Sequence, residues 1–206
     1  MYGHCVHLRR SSIERATGST ALKDQGGDDL VLPRAAPLDA AIVPIPLRTA
    51  RLVLRYLTPA DAEAFFAYRS EPAVALMQGW MPGSRAEADV FVGSVAGVPF
   101  ARRGMWSQLG IVEAGNDALI GDVGAHVDAS GVVAEIGYTI APAFQRRGYA
   151  TEAVRAILAE LEAAYGIRCF TARTDPRNVA SITLLTRLGF GEERRIGDDR
   201  HFRLTV

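Results

Sequence analysis

Cysteine is nearly absent from the chain: Cys5 and Cys169 are the only two in 206 residues. One lies in a polar tail and the other in an apolar run, which argues against a disulfide framework and against a zinc site. His4, Cys5 and His7 are the one cluster of metal-ligand side chains, and three ligands in an unpatterned tail make a poor site, so no metal is expected. Excess charge is missing as well. Lys+Arg and Asp+Glu each number 23, and a net charge of zero gives no electrostatic reason to bind nucleic acid or an anionic membrane. The paired arginines (Arg9-Arg10, Arg102-Arg103, Arg146-Arg147, Arg194-Arg195) are scattered rather than clustered. No apolar run reaches the ~20 residues needed to span a bilayer, and the N-terminal stretch has no hydrophobic segment of the secretory kind. It is rich in Arg and Ser, yet Glu14, Asp24, Asp28 and Asp29 argue against a transit peptide. A cytoplasmic protein, monomer or homodimer, is the expectation.

What is present suits one domain with an appendage: 49% hydrophobic and 22% charged residues are ordinary for a packed core. Residues 1–46 are rich in Gly, Asp and Pro and show no sustained period. They read as a disordered extension, or as sequence upstream of the true start codon, ahead of a domain at 47–206. "LRTARLVLRYL" alternates like a strand. Thr58 as N-cap, Pro59 at the first helical position and Asp61 three residues after the cap start a helix. A second helix is expected over 84–96, with Ser84 as cap and Glu87 closing a capping box. Three strands follow in "MWSQLGIVEA", "ALIGDVGAHVD" and "GVVAEIGYTIAP", separated by turns at 115–117 and 128–131, which suggests an antiparallel meander. Residues 149–165 place Ala153, Val154, Ile157, Leu158, Leu161 and Tyr165 on one helical face, with Gly166 as the stop. "IRCFTAR" is a strand. "NVASITLLTRLGF" is a helix capped by Asn178 and stopped by Gly189, and the end is a hairpin around Gly197-Asp198-Asp199. The order β-α-α-β-β-β-α-β-α-β-β defines a mixed α/β fold.

The stretch "FQRRGYATEA" raises a question that composition does not answer. Two arginines, a glycine and small residues lead directly into a helix start. The first turn of a helix presents unpaired N–H groups and about +0.5 of a charge, a natural phosphate site. Gly148 and Ala150 allow the backbone to approach a ligand, and Arg146 and Arg147 add steering charge. A pyrophosphate cradle and an ordinary solvated turn fit these residues about equally well.

Four stretches in register move that balance: "LRTARLVLRYLTPADAEAF", "AEIGYTIAP", "QRRGYATEA" and "NVASITLLTRLGF". Together the chain resembles the GNAT superfamily of N-acetyltransferases over residues 47–206, and within it the Rim-type branch that acetylates the N-terminal amines of ribosomal proteins. Gln145, Gly148 and Ala150 fill positions of the family's acetyl-CoA signature. The resemblance implies a central, mostly antiparallel sheet flanked by helices, with acetyl-CoA as co-substrate. It implies that the backbone of Tyr138, Thr139 and Ile140 pairs with the pantetheine arm. The amides of Gln145, Arg146, Arg147, Gly148, Tyr149, Ala150 and Thr151 would hold the pyrophosphate, and Asn178 would bond the pantetheine or thiol end.

Acetyl transfer needs a neutral amine, a polarised carbonyl and a proton for the leaving thiolate. A protein α-amine, with a pKa of about 7.7–8.0 against about 10.4 for lysine, needs only modest help from a base. Glu135, a lone carboxylate in the apolar run "VVAEIGYTI", is the expected base, because partial burial makes a carboxylate a stronger proton acceptor. Relatives in the family carry a tyrosine donor seven residues after the asparagine that matches Asn178. Here that position is Leu185, so Ser181 is the substitute donor, with Tyr138 and Tyr149 behind it. Residues 71–83, with Met77, Trp80 and Met81, would wall the acceptor pocket. The acceptor itself stays open between a protein N-terminus and a small amine such as an antibiotic or polyamine. A non-catalytic acyl-CoA-binding module is the reading from a different class.

Overall fold

The computed structural model describes residues 43–206. Strands β1 (Leu47–Arg48), β2 (Leu52–Tyr56), β3 (Trp106–Glu113), β4 (Leu119–Val127), β5 (Val133–Ile140), β6 (Cys169–Thr174), β7 (Gly191–Ile196) and β8 (Asp199–Thr205) form one sheet in the order β1-β2-β3-β4-β5-β6-β8-β7. Among the described residues every ladder is antiparallel except β5–β6. That exception follows from connectivity, since a strand can return parallel to its predecessor only through a long crossover. Helix α4 (Tyr149–Tyr165) supplies it. The other helices are α1 (Ala62–Arg69), α2 (Pro72–Ala75), α3 (Arg85–Val95) and α5 (Val179–Arg187).

Alternation along the strands sorts the side chains into two faces. Ala134, Ile136, Tyr138 and Ile140 of β5, with Val123 and Ala125 of β4 and Phe170 and Ala172 of β6, join the Ala153, Val154, Ile157 and Leu161 stripe of α4 and Leu184 and Leu185 of α5 in the main core. A smaller core gathers Phe65 and Tyr68 of α1 and Ala88 and Val92 of α3 over β2 and β3. By register, Gln108 of β3, Asp122, Gly124 and His126 of β4, and Glu135, Gly137 and Thr139 of β5 lie side by side on the face opposite α4. That face is polar.

Local chemistry explains the element ends. The Ser84 hydroxyl accepts the Glu87 amide at 3.2 Å, while the Glu87 carboxylate accepts from Gly83 N at 3.0 Å, one residue earlier than a capping box requires. Asn178 Oδ1 accepts the Ser181 amide at 3.1 Å. Gly166 and Gly189 close their helices with φ of 66° and 92°, a region that glycine enters without a Cβ penalty.

Four expectations need correction. The strand over "LRTARLVLRYL" is two strands, because Thr49 turns the chain: its hydroxyl accepts from Leu52 N at 2.9 Å. Residues 59–61 form a short 3₁₀ turn ahead of α1, and α2 is an additional single-turn helix in the stretch read as a pocket wall. Val43 and Ile45, assigned to the extension by composition, pack in the main core. Residues 1–42, with His4, Cys5 and His7, lie outside the described residues. No described helix is long and apolar enough to cross a membrane.

Candidate active site

The β5–β6 ladder is short. It pairs Val133, Ala134 and Glu135 with Cys169, Phe170 and Thr171 and stops there, although β5 runs on to Ile140 and β6 to Thr174. The sheet therefore opens beside the second half of β5, where an extended ligand can add as a strand would. Past β5 the chain makes a 3₁₀ turn at Pro142–Phe144, and Gln145 Nε2 donates back to Ile140 O at 2.8 Å. Arg146 and Gly148 then take left-handed backbone with φ of 64° and 81°. Such a conformation costs a non-glycine residue like Arg146 roughly 1–2 kcal/mol. Its return is geometric, since alternation of this kind aims successive N–H groups into one anion-binding concavity. Gly148 is the N-cap of α4, so the concavity is continuous with a helix N-terminus.

A groove of about 630 Å³ lies between this loop and α5, lined by Gln145, Arg146, Gly148, Thr151, Arg177 and Arg187 among others. Three guanidinium groups around a helix N-terminus fit a phosphorylated ligand such as acetyl-CoA. Arg146 faces the groove as the sequence suggests, but the Arg147 side chain does not line it. Its guanidinium donates to Ala143 O at 3.0 Å and lies 5.3 Å over the Phe144 ring. The loop is clamped from the other side. Glu152 accepts from Thr49 Oγ1 at 2.6 Å, Arg51 N at 2.8 Å and Arg51 Nε at 2.7 Å. Burial acts to raise the Glu152 pKa, and these hydrogen bonds outweigh it and bring it below the ordinary value. Arg51 Nη1 donates to Arg147 O at 2.9 Å, which fixes the turn.

This geometry alters the reason for expecting Gly148→Val to be harmful. An added Cβ would meet only Arg51 Nη2, at an ordinary 3.4 Å, but φ is +81°. The side chain forces the backbone out of the left-handed region and dissolves the concavity. We expect acetyl-CoA affinity to fall at least ~10-fold by calorimetry, since charge-assisted hydrogen bonds of about 1.5–3 kcal/mol each are lost. The melting temperature should fall by only a few degrees (about 1–2 kcal/mol of strain). A variant that melts lower but binds acetyl-CoA normally would show the turn to be a packing feature.

Glu135 closes the last rung of the β5–β6 ladder, at the apex of the opening. Its apolar neighbours in sequence point to the α4 face, so the carboxylate does not sit in apolar surroundings. It accepts from Arg173 Nε at 2.6 Å and is 21% exposed. His126 lies across from it on β4, and His201 stands opposite Arg173 on β8. The His201 pKa is lowered, by burial first and by the Arg173 charge second, against the opposing pull of Glu135 and Asp199. His201 is thus a largely neutral imidazole near pH 7, a proton acceptor that sequence reading did not single out.

On the α4 and α5 side, Ser181 is fully buried and its Oγ has no hydrogen-bond partner among the described residues. Thr174 Oγ1, at the end of β6, shares that condition. A buried hydroxyl without a partner costs about 1–3 kcal/mol. Asn178 is buried beside them. Leu185 fills its position as a core residue, and Tyr138 is buried in the same cluster. Tyr149 is misplaced for proton donation. Its hydroxyl donates to Glu113 at the end of β3, and the Arg51 guanidinium covers its ring at 4.8 Å. Hydrogen bonding to Glu113 and then burial raise its pKa above the ordinary value.

The expected pocket wall divides. Val74 and Met77 are buried against each other, Trp80 packs on Phe91 with centroids 4.8 Å apart, and Met81 is exposed. Sequence reading missed the group beneath this wall. Asp122 is fully buried on the polar face. It accepts from Tyr68 Oη at 2.5 Å, from Arg69 Nη2 at 2.5 Å and from Gln108 Nε2. Among the described residues no group of His, Cys, Asp and Glu is placed to hold a metal ion.

Comparison with known proteins agrees with this architecture. Residues 51–191 match the model of the acetyltransferase (GNAT) domain. The uncharacterized N-acetyltransferase YoaA of Bacillus subtilis (strain 168) is 34% identical over 149 residues, 71% of this chain and 83% of that protein. A Vibrio cholerae structure provisionally assigned as a ribosomal-protein-serine acetyltransferase superposes with a TM-score of 0.67 at 23% identity, covering 80% of this chain and 99% of that one. The microcin C7 self-immunity acetyltransferase MccE, solved with acetyl-CoA and AMP, gives a TM-score of 0.64 at 18% identity over 77% of this chain and 94% of that one. The left-handed turn at the head of α4, the opening between β5 and β6 and the family match lead to one conclusion: the chain belongs to the GNAT acetyltransferases and is an acyltransferase that uses acetyl-CoA.

Proposed function

We propose that the acceptor is the α-amine of a protein N-terminus, in the manner of the Rim-type branch. The observation that carries this is the state of the carboxylates on the polar face. Asp122 and Glu135, the two that β4 and β5 present there, each hold an arginine, Arg69 and Arg173. A site for a polycationic antibiotic or a polyamine needs uncompensated negative charge, because several ammonium groups must exchange water for carboxylate. A single α-amine, about half neutral near its pKa of roughly 7.7–8.0, needs only one acceptor. The provisional assignment of the Vibrio cholerae neighbour names a ribosomal protein, which supports a protein acceptor over a small amine.

In this reading the backbone of Tyr138, Thr139 and Ile140 pairs with the pantetheine arm in the opening. The amides from Gln145 to Thr151 hold the pyrophosphate, with Arg146 as a direct charge and Arg147 contributing only its backbone. Asn178 and Thr174 bond the pantetheine end. Glu135 takes the proton from the attacking amine and passes it on to water. Ser181 Oγ donates a hydrogen bond that stabilises the departing thiolate until it takes a proton from water as CoA leaves. A mass-spectrometric screen tests the reading, with acetyl-CoA offered alongside ribosomal-protein N-terminal peptides, polyamines and aminoglycosides. Acetylated peptide is the expected product. Acetylation of only the polycations would overturn the proposal, and a thermal shift with acetyl-CoA without CoA release would mark a binding module.

A further inference from the structure

Loop 71–83 carries one polar group that the packing of the loop does not explain. Gln78 Oε1 accepts from Arg69 Nη1 at 2.5 Å. Arginine has only donors, so the amide oxygen must face it and the orientation of the Gln78 amide is chemically fixed. Gln78 Nε2 then points away from Arg69. It is buried, and it has no hydrogen-bond partner among the described residues. Arg69 is itself held by Asp122 through Nη2 at 2.5 Å and Nε at 3.3 Å. Asp122 is the cross-strand neighbour of Thr139, on the strand that opens beside β6. The chain Gln78–Arg69–Asp122 thus ties an NH2 donor on the acceptor loop to the strand that would hold the thioester. A buried amide donor left without an acceptor is costly, and a donor oriented by a buried ion pair is pre-organised for a ligand oxygen.

We infer that Gln78 Nε2 donates to the carbonyl oxygen next to the acceptor amine, so that Gln78 is a specificity residue for amines borne on a carbonyl-substituted carbon, as in a peptide N-terminus. The inference rests on the α-amine reading above and deepens it. It separates peptide termini from simple amines by chemistry: a polyamine or aminosugar has no carbonyl in this position, and binding it leaves Nε2 without an acceptor. Sites that hydrogen-bond a substrate group discriminate against analogues lacking it for this reason. Arg69 and Asp122 act through Gln78 and are positioning residues.

The test uses the full chain, acetyl-CoA and two acceptors: alanyl-alanine amide, and its reduced analogue in which a methylene replaces the first carbonyl. CoA release gives the rates. Wild type should prefer the carbonyl-bearing peptide. Gln78→Ala should lower kcat/KM on the peptide about tenfold, mainly through KM, and leave the rate on the reduced analogue and acetyl-CoA affinity unchanged. Gln78→Glu keeps the length and the contact with Arg69 but cannot donate when ionised, so it should lose the same discrimination and serves if the alanine variant is unstable. The higher amine pKa of the reduced analogue adds the same preference in all three proteins, so equal losses on both acceptors, or a preference undiminished in both variants, would overturn the inference alone. So would a wild type that acetylates the peptide and its reduced analogue equally well. A wild type that transfers nothing to the peptide would overturn it together with the α-amine reading.

Discussion

Asp122→Ala is expected to cost about 3–5 kcal/mol of folding stability, the range found when one partner of a buried ion pair is removed. Asp122 is 0% exposed and Arg69 2%. The substitution removes the carboxylate that balances the Arg69 guanidinium in the core, and it takes the acceptor from Tyr68 and Gln108 as well. Urea unfolding measures the loss. A paired replacement, Arg69→Met with Asp122→Leu, should recover much of the stability, because no uncompensated charge is left behind. It should not recover recognition of a carbonyl-bearing acceptor, since Gln78 loses its anchor. Tyr68 adds a pH signature. Burial first, and the Asp122 charge second, raise its pKa well above the ordinary value. Stability tied to the protonated phenol is therefore complete below about pH 10, the value in an unfolded chain, and is lost only as pH rises further. A stability change under 1 kcal/mol for Asp122→Ala would show that the site relaxes or hydrates more readily than its burial implies.

This network also marks the limit of what the sequence reveals. Signals that act within a few residues were legible. Ser84 and Asn178 cap their helices through bonds to residues three ahead, and Gly166 stops α4 where periodicity ends. The meander β3–β4–β5 was legible for the same reason, its turns being built from adjacent glycines and aspartates. Arg69 and Asp122, by contrast, are 53 residues apart, and each alone resembles a solvated charge. Only the alternation of β4 and the end of α1 bring them together. Glu135 was found as a lone carboxylate in an apolar run, but its partner Arg173 is set by the parallel β5–β6 register, which no local pattern encodes. His201 reaches the same cluster through β8. The split at Thr49 and the short α2 escaped because two-residue strands and single-turn helices carry too few residues to show a period. The cradle itself was legible in outline through its glycine and arginines. Which arginine faces the groove was not, because Arg146 and Arg147 are the same residue type, and only the left-handed backbone of the first and the contacts of the second with Ala143 and Phe144 tell them apart.

Glu135→Gln should lower kcat by roughly 10²–10⁴ near neutral pH while leaving acetyl-CoA affinity intact, the range for removing a positioned general base. The substitution suits the geometry. Glutamine keeps an oxygen that can accept from Arg173 Nε, now 2.6 Å from the carboxylate, so the side chain stays in place and only proton-accepting capacity is removed. Little stability should be lost, because the pair is partly exposed and such pairs contribute about 0–1 kcal/mol. Raising the pH should return part of the rate, since more of the acceptor amine is then already neutral. His201 is the internal rival, with its lowered pKa and its place opposite Arg173. His201→Gln should leave the pH–rate profile close to that of the wild type if Glu135 is the base. If instead Glu135→Gln overlays the wild type and His201→Gln removes the acid limb, which its lowered pKa places below the ordinary histidine range, the imidazole is the base and Glu135 serves to hold Arg173. If neither variant moves the profile, the low pKa of the α-amine is sufficient and the acceptor loses its proton to water.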